Sequence, residues 1–229
     1  MKTLLGFTFI GTLSLAALTG CHAPAKGSKQ GTIELFNGKN LAGWKHVLAE
    51  ADVPRDAVWF VRDGLLICKG TPLGVLHTEG AFKNFRLVVD YRWAPGSKPG
   101  NNGILTRING AARALPRCAE VQLQHGSAGD VLGLQGMMVS SGQPRYFEVM
   151  NHALAGDIRG VKKLADAERP AGEWNRVELL ARDGNYTVWM NGQQINNASG
   201  VEVQRGPVGV QAEGGEIHFR AVMLTPLAD

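Results

Sequence analysis

"CAEVQLQHG", residues 118–126, alternates Ala119, Val121 and Leu123 with Glu120, Gln122 and Gln124. Successive side chains of an extended chain point to opposite faces, so this stretch reads as a strand with one apolar and one polar face. The polar face carries a carboxylate and two amides, more hydrogen-bonding capacity than solvation of a strand requires. The same period runs through "NFRLVVDYRW", where Phe85, Leu87, Val89, Tyr91 and Trp93 alternate against Arg86, Val88, Asp90 and Arg92. "AVWFVRDGLLICKG" is two apolar runs joined by Asp63-Gly64, and "NRVELLARDGNYTVWMNGQQI" contains Asp183-Gly184 and Asn191-Gly192, all hairpin signals. No dozen residues keep a helical period, and 30 glycines supply turns. The expected fold is all-β: a sandwich or jelly roll of two antiparallel sheets.

The chain has 229 residues, 44% hydrophobic and 19% charged, enough for one domain with a full core. The net charge is +4 with the basic residues scattered, which argues against a nucleic-acid partner. "MKTLLGFTFIGTLSLAALTGC" has Lys2, an apolar run from Leu4 to Leu18, and Leu18-Thr19-Gly20-Cys21, and reads as an export signal. Its ending resembles the bacterial lipobox, which implies lipidation at Cys21. Three segments follow: a signal over 1–21, a flexible tether over 22–31 and one jelly-roll domain over 32–229. By resemblance to bacterial sorting patterns, His22 in place of Asp implies the periplasmic side of the outer membrane. Cys68 and Cys118 either form a disulfide or are two separate buried thiols.

On a sandwich, the polar face of "EVQLQ" lines a trough on the outside of one sheet. In "NNGILTRI", Asn101, Gly103, Leu105 and Arg107 share one side, and "VGVQAEGG" puts Gln211 and Glu213 on a common face. Carboxylate, amide and guanidinium groups together suit a polyhydroxylated ligand, since each hydroxyl both donates and accepts. Glu120 is the candidate base, the group positioning one, or a binder of sugar hydroxyls without proton transfer, and Arg107 is the candidate enolate stabiliser or an ion-pair partner of Glu120. Asn101, Gln122, Gln124, Gln211, Glu213 and His125 are candidate substrate contacts, with a loop charge as the other reading of Glu213. Trp44 is the candidate stacking platform, with surface packing as its other reading; Trp59, Trp174 and Trp189 read as core. Asp130 reads as a turn residue or a cation ligand. The histidines show no zinc spacing, so no cofactor is implied and a divalent cation, though compatible, is not signalled. Serine-hydrolase, phosphate-loop and dinucleotide motifs are absent.

The blocks "IELFNGKNLAGWK", "WFVRDGLLICKG", "GVLHTEGAFKNFRLVVDYRW", "NNGILTRI", "AEVQLQHG", "AGEWNRVELLARDGNYTVWMNGQQI" and "GPVGVQAEGGEIHFRAVMLTPL", from Thr32 to Leu227, resemble the 3-keto-disaccharide hydrolase family. The resemblance implies a concanavalin A-like fold, a secreted or lipid-anchored bacterial protein, and cleavage of glycosides oxidised at C3. Where that family commonly reads Asn-Ser-Gly-Ile, this chain has Asn101-Asn102-Gly103-Ile104. A C3 ketone acidifies the C2 proton, and the glycosidic oxygen on C1 is beta to the carbonyl, so the aglycone can leave by elimination and water can then add. The alternatives are a non-catalytic carbohydrate-binding envelope lipoprotein and an envelope protein whose trough grips another protein.

Overall fold

The computed structural model describes Met1 and residues 31–229. The export signal, Cys21 and the tether up to residue 30 lie outside the described residues. In chain order the strands are β1 (Ile33–Glu34), β2 (Trp44–Leu48), β3 (Trp59–Arg62), β4 (Leu65–Cys68), β5 (Gly74–Thr78), β6 (Phe85–Trp93), β7 (Gly103–Asn109) and β8 (Arg117–Gln122). They continue with β9 (Val131–Leu134), β10 (Tyr146–His152), β11 (Gly156–Val161), β12 (Asn175–Arg182), β13 (Asn185–Met190), β14 (Gln193–Ala198), β15 (Gly209–Ala212) and β16 (Ile217–Pro226). The one described helix, α1 (Arg55–Val58), is a single turn; no helix of the described residues is long and apolar enough to cross a membrane.

Two eight-stranded antiparallel sheets pack face to face. The first runs β14-β13-β12-β6-β16-β4-β3, with β1 paired to β16; the second runs β10-β11-β9-β8-β7-β15-β5-β2. This is the jelly-roll sandwich expected from the alternation. All three anticipated hairpins form, with Asp63, Asp183 and Asn191 in the left-handed region at φ 52°, 49° and 52°, which Asp and Asn tolerate at tight turns. Between the sheets lie Phe85, Leu87, Val89, Tyr91 and Trp93 from β6 and Ala119, Val121 and Leu123 from the β8 segment, all essentially dry. Burying each such large side chain contributes about 1.5–3 kcal/mol.

A second, smaller apolar cluster lies on the outer side of the second sheet. Val75, Leu105, Cys118, Leu132 and Leu134 project there, and Leu115 and Ala155 from connecting loops pack over them. The expected polar trough is therefore apolar over much of its width. The two cysteines belong to different layers, Cys68 to the inter-sheet core and Cys118 to this outer cluster, and both are free thiols. Burial pushes the Cys68 thiol up to about 12 and raises that of Cys118.

Three expectations about side-chain direction fail. Trp44 is 6% exposed, sits in the inter-sheet core and donates from Nε1 to the carbonyl of Leu35 at 2.7 Å, so it offers no ring to a sugar. Trp174 and Trp189 are not core: Trp189 stands opposite Glu178 and is half-buried, and Trp174 lies between the guanidinium groups of Arg92 and Arg220 at 4.6 and 4.5 Å. Most consequentially, Arg107 does not face the outer side with Leu105. Its φ is +53° and the β7–β8 register shifts between Thr106 and Asn109, so the bulge turns the side chain inward. There it is fully buried over the Tyr186 ring. Nη1 donates to the carbonyls of Val201 and Glu202 at 3.2 and 2.8 Å, and Nη2 to those of Lys83 and Asp183 at 3.3 and 2.5 Å.

Arg107 thus ties three loops to β7 and is a structural residue. A lysine has no planar fork to span four carbonyls. Arg107→Lys is expected to cost about 3 kcal/mol in urea unfolding, the range for breaking a buried charged network; a variant as stable as the parent would refute this assignment.

Candidate functional site

Glu120 lies on β8 between Leu105 of β7 and Leu132 of β9 and faces the outer side, as its alternation with Ala119 and Val121 requires. It is 2% exposed, and its Oε1 is buried without a hydrogen-bond partner among the described residues. The carboxyl leans diagonally over Gly103: a Cβ added at Gly103 would come 1.8 Å from Oε1. β15 flanks β7 on its other side, with Gly209 opposite Leu105 and Val210 opposite Ile104. One residue on, Gln211 comes beside Gly103, and Glu213, just past the end of β15, takes hydrogen bonds from the side chains of Gln211 and Asn101. Gln211 is 1% exposed, and its Oε1, like Oδ1 of Asn101, is buried and unpartnered.

The loops that end these strands are locked together by backbone contact. The amide of Asn101 donates to the carbonyl of Gly214 at 2.9 Å, and those of Leu123 and His125 to the carbonyls of Asn102 and Gly100 at 2.8 and 3.2 Å. The crossing is too tight for a side chain at Gly100, whose added Cβ would stand 2.0 Å from the Gly214 oxygen. Asn102, at the position of the departure noted above, turns inward, with Nδ2 bonded to the Gln211 carbonyl and close to the Cys68 thiol. It strengthens the β7–β15 seam and leaves the outer face untouched.

Asn101, Glu120, Gln211 and Glu213 are thus brought together and Gln122, opposite Gly103 on the same face, borders them, whereas Gln124, His125 and Arg107 do not join them. Strand β8 ends at Gln122, whose Oε1 accepts the amides of Leu123 and Gln124 at 2.9 Å each, closing the turn on its own backbone. Gln124 and His125 are exposed in that turn, and His125 Nδ1 pairs with Glu168 at 3.0 Å. Asp130 accepts the Lys163 amide at 2.8 Å and pairs with Lys162 at 3.2 Å, a structural role. His152, on the β10–β11 hairpin, is a residue that sequence reasoning passed over. Its Nδ1 accepts the amides of Leu154 and Ala155 at 3.4 and 3.1 Å, which leaves the proton of the neutral ring on Nε2. No motif marks it, because its link to the site is spatial only.

Burial, with the Glu213 charge second, pushes the Glu120 carboxyl up to about 8. Burial also raises Glu213, against the opposing pull of the Gln211 amide, the nearby His152 ring and the Asn101 amide. Two carboxyl groups in one poorly solvated place, without an arginine or lysine between them, favour holding a proton. Among the described residues no group of three or more His, Cys, Asp or Glu side chains is arranged to hold a metal ion. Glu120, Glu213 and the amides beside them can transfer a proton and hydrogen-bond to hydroxyl groups.

This fold is the jelly roll of carbohydrate-binding and glycosyl hydrolase proteins. A proposed glycosyl hydrolase from Parabacteroides distasonis superposes with a TM-score of 0.60 at 22% identity, covering 86% of this chain and 94% of that one. A second from the same organism gives 0.59 at 19%, covering 86% and 100%. The carbohydrate recognition domain of Emp47p gives 0.50 at 11%, covering 88% and 97%. A search of curated proteins returned no match. The family model for the 3-keto-alpha-glucoside-1,2-lyase-like domain matches residues 31–225, and the chain belongs to that family, the 3-keto-disaccharide hydrolases.

The Glu120 carboxyl has a consequence for stability. Below pH 4.5 it is protonated folded or unfolded; from 4.5 to about 8 the native state keeps a proton that the unfolded chain has lost. Its contribution is therefore full at low pH and lost as pH rises through about 8. Glu120→Gln should abolish that loss, so that the variant gains on the parent by up to about 1.4 kcal/mol per pH unit across the window. Parallel stability–pH curves in chemical denaturation would show that Glu120 is ionised in the native protein.

Proposed function

We propose that this face cleaves glycosides of sugars oxidised at C3, by elimination across C1–C2 followed by hydration. The observation that carries the reading is the pair of carboxyl groups, Glu120 as the floor and half-buried Glu213 at its edge, set among amide oxygens that lack donors. Sugar hydroxyls supply such donors. The family membership supports the same chemistry.

In the reaction, the Glu213 carboxylate takes the C2 proton, and the C2–H electron pair forms the C1=C2 bond conjugated with the C3 ketone. The C1–O bond breaks with its pair passing to the aglycone oxygen, which Glu120 protonates. The products are the enone sugar and the free aglycone. The proton gained by Glu213 and lost by Glu120 is redistributed between them, and water adds to the enone at C1. Glu120 was the candidate base from sequence; a group that keeps its proton through neutral pH is better suited as the acid, with Glu213 as base. The amide N–H groups of Asn101 and Gln211 take the enolate-stabilising part that Arg107, buried elsewhere, does not fill. The export signal and Cys21 support a lipid-anchored protein of the bacterial cell envelope, on the periplasmic side of the outer membrane.

A second reading, sugar binding without turnover, is favoured by the 2% exposure of Glu120. Purified protein incubated with 3-keto-trehalose or a 3-keto-glucoside decides between them. The hydrated 3-keto sugar and free aglycone should appear, and Glu213→Gln and Glu120→Gln should each lower turnover by about a hundredfold or more, the usual worth of an acid or base. Calorimetric binding of the oxidised sugar with no product would establish the binding reading, and neither binding nor product would reject both.

A further inference from the structure

We propose that Gly103 is the positioning residue of this site: the side chain it lacks is the seat in which the Glu120 carboxyl lies. The inference rests on reading Glu120 and Glu213 as the working pair. Directly across from Glu120 stand Leu105 and Leu132, 0% and 8% exposed, which offer a carboxyl nothing to bond. The diagonal neighbour on β7 is Gly103, within reach of a long side chain across an antiparallel pair. The Glu120 side chain takes that diagonal, towards the Gly103 position beside which Gln211 lies on β15, with Glu213 just past the end of that strand.

Glycine at position 103 is not demanded by the backbone. Gly103 is an ordinary extended residue of β7, absent from the positive-φ glycines of the chain. The three nearest atoms to an added Cβ are Oε1, Cδ and Cγ of Glu120, at 1.8, 2.6 and 2.9 Å. All three belong to one flexible side chain, so a methyl group at 103 displaces Glu120 before it strains the fold. Gly100, by contrast, is hemmed in by the backbone of Gly214 and Gly215, so glycine there serves the chain crossing. A glycine inside a central strand is unfavourable for the strand itself, and an approaching group is the usual reason for it.

The test is Gly103→Ala in the full chain, read by NMR titration of carboxyl-labelled glutamate with Glu120→Gln as the assignment control. Displacing Glu120 toward solvent should move its titration down by roughly one pH unit or more, as desolvation and the Glu213 charge are relieved together. Turnover of the 3-keto-glucoside should fall at least about tenfold with KM changed less than about threefold, the pattern of a lost transition-state contact. A double-mutant cycle closes the question: once Glu120→Ala has emptied the seat, adding Gly103→Ala should shift the unfolding free energy far less than it does in the parent. An unmoved Glu120 titration, or an equal penalty for Gly103→Ala in both backgrounds, would overturn the proposal. Titration and cycle need no substrate, so absent turnover in every variant would count against the elimination reading alone and leave Gly103 decided.

Discussion

A carboxyl group removed from water with no cation beside it must keep its proton, and that constraint governs the outer face of the second sheet. Glu120 is held there by strand geometry: Ala119 and Val121 are fixed in the inter-sheet core, so the residue between them has no other side to occupy. Moving Glu120 off this face would move two core residues out of theirs. The core therefore carries the energetic burden of keeping an acid in an apolar surrounding, and the elements around it follow from the need to accommodate that acid. Gly103 leaves room, and β15 brings amides to the vacated space.

Much of this was legible because strand patterning is local. Alternation in β6 and β8 and the three Asp-Gly or Asn-Gly turns needed only neighbours in sequence, and each came out as read. Glu120, Gln211, Asn101 and Glu213 were placed on one face by period two alone. The failures share one physical origin, a side chain whose direction is set by something other than the period. The bulge at Arg107 inverts one residue of β7, and nothing in "ILTRIN" announces a positive φ at an arginine. Gln124 and His125 extend the written alternation beyond the last paired residue, where the chain turns. Trp44 was judged from the loop before it, while its ring packs into the core and its indole N–H finds the Leu35 carbonyl. The separate layers of Cys68 and Cys118 follow from strand order, which a sequence does not display.

Asp90 supplies the contrast that gives Glu120 its meaning. It too is nearly dry, at 3% exposure, on the outer face of the first sheet. Its Oδ1 and Oδ2 accept from Arg176 at 2.7 and 2.9 Å, and Oδ2 accepts from Arg220 at 3.0 Å. Burial works to raise its pKa, but the two guanidinium groups outweigh it and the carboxyl ends below its ordinary value. Two acids of nearly equal burial, on opposite faces of one sandwich, are driven in opposite directions. Burial alone therefore does not identify a working group; the identity of its neighbours does.

That difference separates a polar group that serves the fold from the one proposed to serve chemistry. Asp90 has its acceptor capacity filled by side chains on the strands beside it, and binding a ligand there would first have to break charge-assisted hydrogen bonds. Glu120, Gln211 and Asn101 have acceptors with no donor among the described residues, a condition that costs roughly 1–3 kcal/mol per buried group in a folded protein. What sets these three groups apart from other unpartnered polar atoms, such as Asn102 Oδ1 and Arg107 Nε, is that they lie together on one outer face. That placement is readily reconciled with a site whose missing donors arrive with a polyhydroxylated ligand, since the free energy withheld from the empty protein is then recovered on binding. Asp90, with its acceptors filled, serves the first sheet, and the outer face around Glu120 is the one proposed to take the ligand.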